Sequence, residues 1–175
     1  MIAVKQSWVF KVANYGQWDW YPTGQGASIR TFLSEVDMDI FKEKISACRP
    51  ISREELTSIP NIDENWVTWS QTYPWLSRDA WADILKYIME DKSVLRMTDN
   101  CLIPDMWIEW SYLIDLDKMT LSVYKWTILS DDKYANAPDW PCDISKVYKE
   151  RKPMHSYKLD KLPTKDEWAK KYKNY

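Results

Sequence analysis

Along this chain the spacing of apolar residues alternates between two and three-to-four, and each change marks an element. Ile2 to Val4 and Trp8 to Tyr15 are rich in β-branched and aromatic residues around the polar Lys5, Gln6 and Ser7, which predicts a β-hairpin. Gly16 to Gly26 then reads as a loop. Ile29, Phe32, Leu33 and Val36 recur at helical spacing, so a helix starts just after Gly26. Ile40, Phe41, Lys44, Ile45 and Cys48 repeat the pattern after Asp37 and stop before Pro50. Ser52 and Glu55 have capping-box spacing and open a short third helix ending near Pro60.

Residues 60–76 are irregular but carry Trp66, Trp69 and Trp75, which are costly to leave in water, so they read as an ordered loop rather than a linker. Ser77 reads as an N-cap, with Leu76 placed to staple against Trp81 and with Trp81, Ile84, Leu85 and Ile88 forming one buried helical face. Trp110, Tyr112, Ile114 and Leu116 alternate within Trp107 to Leu116, and Leu121 to Ile128 comes after a polar turn at Asp117 and Lys118, which predicts a second hairpin. Residues 130–145 read as loop, His155 to Leu159 as an edge strand, and Thr164 with Glu167 as the capping box of a C-terminal helix. Strands come in hairpins and helices in a cluster, so the class is α+β with an antiparallel sheet.

Composition narrows the picture. With 175 residues and 45% apolar content the chain suits one compact domain, residues 1–175, ending in a basic segment. That segment, 146–175, carries 10 Lys and Arg against 4 Asp and Glu, on a body that is acidic, and a solvated C-terminal helix accounts for it. The net charge of −2 argues against generic nucleic-acid binding by counterion release. Cys48, Cys101 and Cys142 are widely spaced and odd in number, which points to a reducing compartment without a disulfide frame or zinc knuckle. No apolar run is long enough to span a bilayer, so no membrane partner and a cytoplasmic location are expected.

Two extremes concentrate attention on one segment. The chain has 12 tryptophans and only 3 glycines, and Gly16, Gly24 and Gly26 all fall within Tyr15 to Gly26, Y-G-Q-W-D-W-Y-P-T-G-Q-G. Glycine used here and nowhere else implies positive φ, or an approach too close for a side chain. Gly24-Gln25-Gly26 opening a helix could aim unpaired backbone N–H groups at an anion, with Thr23 and Ser28 adding hydroxyls and Arg30 or Arg78 a charge. The plainer alternative is a tight strand-to-helix turn, since the segment matches no P-loop or dinucleotide fingerprint. Trp18, Trp20 and Tyr21 could stack a planar ring or belong to the core. Asp19 could act as a general base with its pKa raised between two indoles, or hydrogen-bond its own turn. Tyr15 and Gln17 could read polar ligand edges or pair with each other.

Elsewhere catalytic signals are weak. His155, the only histidine, sits in the basic tail, and Asp115 and Asp117 have a spacing that reflects turn chemistry more than metal ligation, so no metal or cofactor is expected.

The segment Tyr15 to Gly26 resembles a widespread family of small bacterial, phage and fungal proteins that share Y-G-Q-W-D-G-Y-P-x-G-Q-G, and eleven of the twelve positions agree when x is free. Leu76, Ser77, Arg78 and Asp79 look like that family's L-S-R-D at a helix start, and residues 111–124 look like its Y-V-I-D-L-D hairpin. Trp20 departs from the family's glycine, and Ala80-Trp81 stands where its Thr-Gly is expected. The resemblance implies common ancestry and brings no activity with it.

Three functions are compatible with these features. The first is non-enzymatic binding of a small anionic planar ligand, a nucleotide, through Tyr15, Gln17, Trp18, Asp19, Trp20, Tyr21, Thr23, Gly24, Gln25, Gly26 and Arg78; the phage context of the resemblance adds a counter-defence role, sequestering a signalling nucleotide in the host cytoplasm. The second is a small hydrolase or transferase with Asp19 as its base and the Gly24 to Gly26 amides stabilising an oxyanion. The third is a protein-interaction module anchored by exposed indoles. A homo-oligomer is compatible with each.

Overall fold

A computed structural model describes residues 1–16, 20–59, 69–96, 109–125, 148 and 151–175. Its centre is a five-stranded sheet in the order β2-β1-β5-β6-β7, with β1 at Ile2–Gln6, β2 at Val9–Asn14, β5 at Trp110–Asp115, β6 at Thr120–Lys125 and β7 at His155–Lys158. Both predicted hairpins are present, β1 with β2 and β5 with β6, and β7 is the edge strand. The seam joining the hairpins is parallel, with Ile2 opposite Tyr112 and Val4 opposite Ile114. The fold is therefore a single α+β domain whose sheet is mainly, not wholly, antiparallel.

The helices fall where caps and periodicity place them. One turn of π-helix, Pro22–Gly26, runs directly into α1, Ala27–Glu35. Asp37 caps α2, Met38–Ala47, by accepting from the N–H groups of Asp39 and Ile40. A short parallel pair, β3 at Arg49–Pro50 and β4 at Val94–Leu95, lies apart from the main sheet. Complete capping boxes, Ser52 with Glu55 and Thr164 with Glu167, open α3 at Arg53–Ser58 and α6 at Lys165–Tyr172. Within the stretch predicted as loop, residues 69–76 hold the short helix α4, Trp69–Thr72, and a 3-10 turn, Pro74–Leu76. Residues 60–68 and the predicted loop 130–145 lie outside the described residues.

The helix after Ser77 is the clearest departure. Ser77 does cap it, accepting from the Asp79 N–H at 3.0 Å. The cap leads into a 3-10 segment, Arg78–Asp83, and only then into α5, Ile84–Met89, because Trp81 sits at φ 46°, ψ −136° and interrupts the helical path. Ile84, Leu85 and Ile88 are buried as the spacing predicts, while Trp81 is half-buried.

The sheet has apolar cover on both faces. Ile2, Val4, Tyr112, Ile114, Leu121 and Val123 meet the helices in the main core. Ala3, Leu113 and Tyr124, one residue out of phase, join Met1, Phe10, Ala13 and Tyr148 in a smaller cluster. Phe10 and Val12 share a parity yet face opposite sides. The register between β1 and β2 slips at Val4/Lys5, so Lys11 is the extra residue of a β-bulge that turns Phe10 over.

Polar clamps finish the sheet. The Asp117 carboxylate accepts from the N–H groups of Ser7 (2.7 Å) and Trp8 (2.9 Å), tying the tip of the first hairpin to the turn of the second. Asp115 is buried between Lys5 (3.8 Å) and Lys118 (3.9 Å) and accepts the Lys118 N–H. These two aspartates serve the turn, as their spacing suggests.

Cys48, only 2% exposed, ends α2 with its thiol against the Lys44 carbonyl. Burial pushes its pKa up to about 11, with the Lys11 charge opposing weakly. Since the thiolate is the nucleophile, iodoacetamide at pH 8 is expected to leave Cys48 unmodified in the folded protein and to modify it after unfolding. Peptide mapping reads this directly; equal labelling in both states would contradict the burial.

Candidate functional site

The glycines of the motif are placed by contact rather than by backbone angle. Positive φ occurs at Ser7, Trp8, Trp81, Asp91 and Met119, and at no glycine among the described residues. The expectation of positive φ is overturned; its alternative, close approach, holds at two positions. A Cβ on Gly26 would stand 2.6 Å from the Tyr112 hydroxyl oxygen, and one on Gly16 would fall well inside contact distance of the Trp20 and Trp81 indoles.

The backbone amides are also not the free anion donors expected. The N–H groups of Gly24 (2.9 Å) and Gly26 (3.2 Å) both donate to the Tyr21 carbonyl, and that of Ala27 donates to Gly24 O. Because the π-turn joins α1 without a break, the turn itself consumes the donors that a free helix end would leave unpaired.

Four attachments fix this turn in the fold. The Tyr112 hydroxyl donates to Trp20 O (2.6 Å), and the Trp168 indole N–H donates to Pro22 O (2.7 Å). The Gln25 side-chain carbonyl accepts the Ala82 N–H (3.0 Å), just past the Trp81 interruption. Gly26 lies against Tyr112.

Beside the turn, α1 and α6 enclose an open cleft of about 1050 Å³, near the upper end of the roughly 300–1,000 Å³ usual for small-molecule sites. Of the predicted residues, Tyr21, Thr23, Gly24 and Gln25 line it, as do Ser28 and Arg30. Trp20 does not: it is 6% exposed, in the main core, with its ring tilted against Tyr112 at 6.2 Å. Gly26 is buried, and Tyr15 packs on the smaller cluster at the other face of the sheet. Gln17, Trp18, Asp19 and the side chain of Arg78 lie outside the described residues.

The cleft gains members that the sequence does not single out: Phe32 and Glu35 on α1, Lys86 on α5, and Lys165 and Trp168 on α6. In the sequence Phe32 and Trp168 are visible only as apolar helix positions, and Lys165 only as part of a basic tail.

Its electrostatics are uneven. Arg30 donates through Nε to Pro163 O at 2.6 Å, which orients the guanidinium and leaves Nη1 and Nη2 without a hydrogen-bond partner among the described residues. Lys165 has no ion-pair partner among them, whereas Lys86 pairs with Asp83 at 2.7 Å and is raised in pKa by that hydrogen bond. Glu167 is held below the usual carboxylate range first by the Thr164 N–H, then by its hydroxyl, with the Arg30 charge adding to both. Glu35 is the one carboxylate among the lining residues. The wall thus offers an oriented guanidinium, the Lys165 ammonium, the hydroxyls of Thr23, Ser28 and Thr31, and the ring of Tyr21, which is 44% exposed.

His155 is on β7 against the rings of Tyr157 and Tyr172, with its pKa lowered by burial and then by Lys171. No cluster of three or more His, Cys, Asp or Glu suited to a metal occurs among the described residues, and no described helix is long and apolar enough to cross a membrane.

Comparison with known proteins finds no matching family model, no similar curated protein and no similar solved structure.

Proposed function

We propose that the protein binds, without turning over, a small anionic ligand carrying a planar ring, of the nucleotide class, in the cleft between the Pro22–Gly26 turn, α1 and α6. The observation that carries this reading is Arg30, fixed through Nε with its two terminal amino groups left for a bidentate phosphate or carboxylate. Lys165 supplies a second positive charge, Tyr21 a ring face, and Ser28, Thr31 and Glu35 partners for ligand hydroxyl or amino groups. The anion is met by side chains, not by the glycine amides. The resemblance at Tyr15 to Gly26 extends this reading to sequestration of a signalling nucleotide by a phage protein in the host cytoplasm.

Titration calorimetry against nucleoside mono-, di- and cyclic phosphates tests it. Charge-assisted hydrogen bonds contribute roughly 1.5–3 kcal/mol, so Arg30→Ala should weaken binding about 10- to 150-fold. Arg30→Lys should recover little, because an ammonium lacks the planar fork. If no phosphate compound binds the wild-type protein, or if Arg30→Ala binds equally well, the reading fails.

A further inference from the structure

The break at Trp81 lies in a segment whose sequence favours an unbroken helix. Ser77 caps it, Asp79 is in its first turn, and residues 78–89 contain neither glycine nor proline. Trp81 is nevertheless held at φ 46°, ψ −136°, a conformation unfavourable for a bulky side chain. Backbone strain of this kind persists only where the surroundings impose it, and it gathers at ligand clamps and switch regions.

Two partners outside the segment impose it here. Ala82 donates its N–H to the Gln25 side-chain carbonyl at 3.0 Å. In an α-helix begun at Ser77, that N–H would donate instead to the Arg78 carbonyl, four residues back. The two bonds compete for one proton, so Gln25 holds the broken form against the helical one. Gly16 is the second partner. A Cβ there would collide with Cδ1 of the Trp81 indole, so the missing side chain makes room for the ring in its present place.

Gln25 also lines the cleft. With its carbonyl taken by Ala82, its amide has only the NH2 group, a donor, left for a ligand. A ligand oxygen accepting from that group fixes the side chain in the orientation that the broken form requires. We propose that Arg78–Asp83 is a two-state segment, broken at Trp81 or helical throughout, and that Gln25 couples its state to occupancy of the cleft. Ligand binding favours the broken form, and a change that favours the helical form lowers ligand affinity in return. The coupling rests on the nucleotide reading above; the two states of the segment do not.

The test follows backbone NMR shifts of residues 78–83 in the full chain, first without ligand. The wild-type protein should be non-helical at Trp81. Gln25→Ala deletes the acceptor and Gly16→Ala crowds the ring, and each should move the segment to helical shifts. Gln25→Glu keeps an acceptor and should match the wild type. Alanine variants that fold and keep the wild-type shifts would show a single state and overturn the proposal. Whichever of AMP, ADP and cyclic AMP binds the wild type is then titrated. Gly16 does not line the cleft, so a loss of affinity of about 5-fold or more in Gly16→Ala, the lower end of typical couplings, would report the segment alone. Trp81→Gly relieves the strain and disfavours the helix, so it should bind at least as tightly as the wild type. That measurement stands even if neither alanine variant folds. Weaker binding by Trp81→Gly, or wild-type affinity in a helical Gly16→Ala, would overturn the coupling. If none of the three nucleotides binds the wild type, the coupling falls with the reading of the cleft, and the ligand-free shifts still decide the two states.

Discussion

Gly26→Ala should destabilise the protein by about 2–4 kcal/mol, against the direction that helix propensity predicts. Gly26 has φ −60° and ψ −40°, ordinary helical values. Alanine at such a position normally stabilises by roughly 0.5–1 kcal/mol. Here the added methyl would lie 2.6 Å from the Tyr112 hydroxyl oxygen and 2.9 Å from its ring carbons. Tyr112 is fully buried in the central strand β5 and cannot swing aside. Overpacking costs about 1–3 kcal/mol, and pulling the Tyr112 hydroxyl away from Trp20 O adds about 1–3 kcal/mol for a buried polar group left unsatisfied. Denaturant unfolding measures the difference, with Gly24→Ala, on the cleft wall, as the comparison. An alanine variant as stable as the wild type would show that the turn does not seat on Tyr112.

Trp168 should be the most costly cleft residue to remove. It is 1% exposed, its N–H holds Pro22 O, and its ring packs on Tyr172 (4.7 Å) and Tyr157 (5.5 Å). Trp168→Ala removes all of this, and truncations of this size cost roughly 3–5 kcal/mol. That is a large part of a typical domain stability of about 5–15 kcal/mol. Trp168→Phe retains most of the packing but strands the Pro22 carbonyl, for about 1–3 kcal/mol. Both should also weaken binding of the proposed nucleotide-class ligand, since Trp168 lines the cleft and joins the turn to α6. The expected order is wild type, phenylalanine, alanine in stability and in affinity; a phenylalanine variant as stable as the wild type would show that the hydrogen bond contributes nothing.

Local features of the fold are legible in the sequence because their causes are local. Ser52 with Glu55, Thr164 with Glu167, and Asp37 before α2 each satisfy helix N–H groups from within three residues, and both hairpins carry their alternation in neighbouring segments. The features that the sequence conceals depend on partners far along the chain. The parallel seam pairs Ile2 with Tyr112, and Gly26 is a glycine because of that same tyrosine. The broken helix at Trp81 has no breaker residue to announce it; it is set by packing against Gly16 and by Gln25. In the site, a reading confined to the motif finds one wall of the cleft, Tyr21 to Gln25 with Ser28 and Arg30. It does not reach Lys165 and Trp168, which come to the other wall from a helix about 140 residues later. It also counts Trp20 as a ligand platform, when burial against Tyr112 makes it core.

The parallel seam has a consequence for synthesis. The first hairpin can close as soon as β2 leaves the ribosome, but the other edge of β1 belongs to β5, whose last residue is Asp115. At about 5–20 residues per second the intervening chain takes on the order of 5–20 s to appear. Throughout that interval Ile2 and Val4 hold an apolar row without its neighbouring strand, and the open edge of β1 is free to pair with other nascent chains. Growing chains of this protein should therefore be most vulnerable to aggregation before β5 emerges, and most in need of a chaperone then.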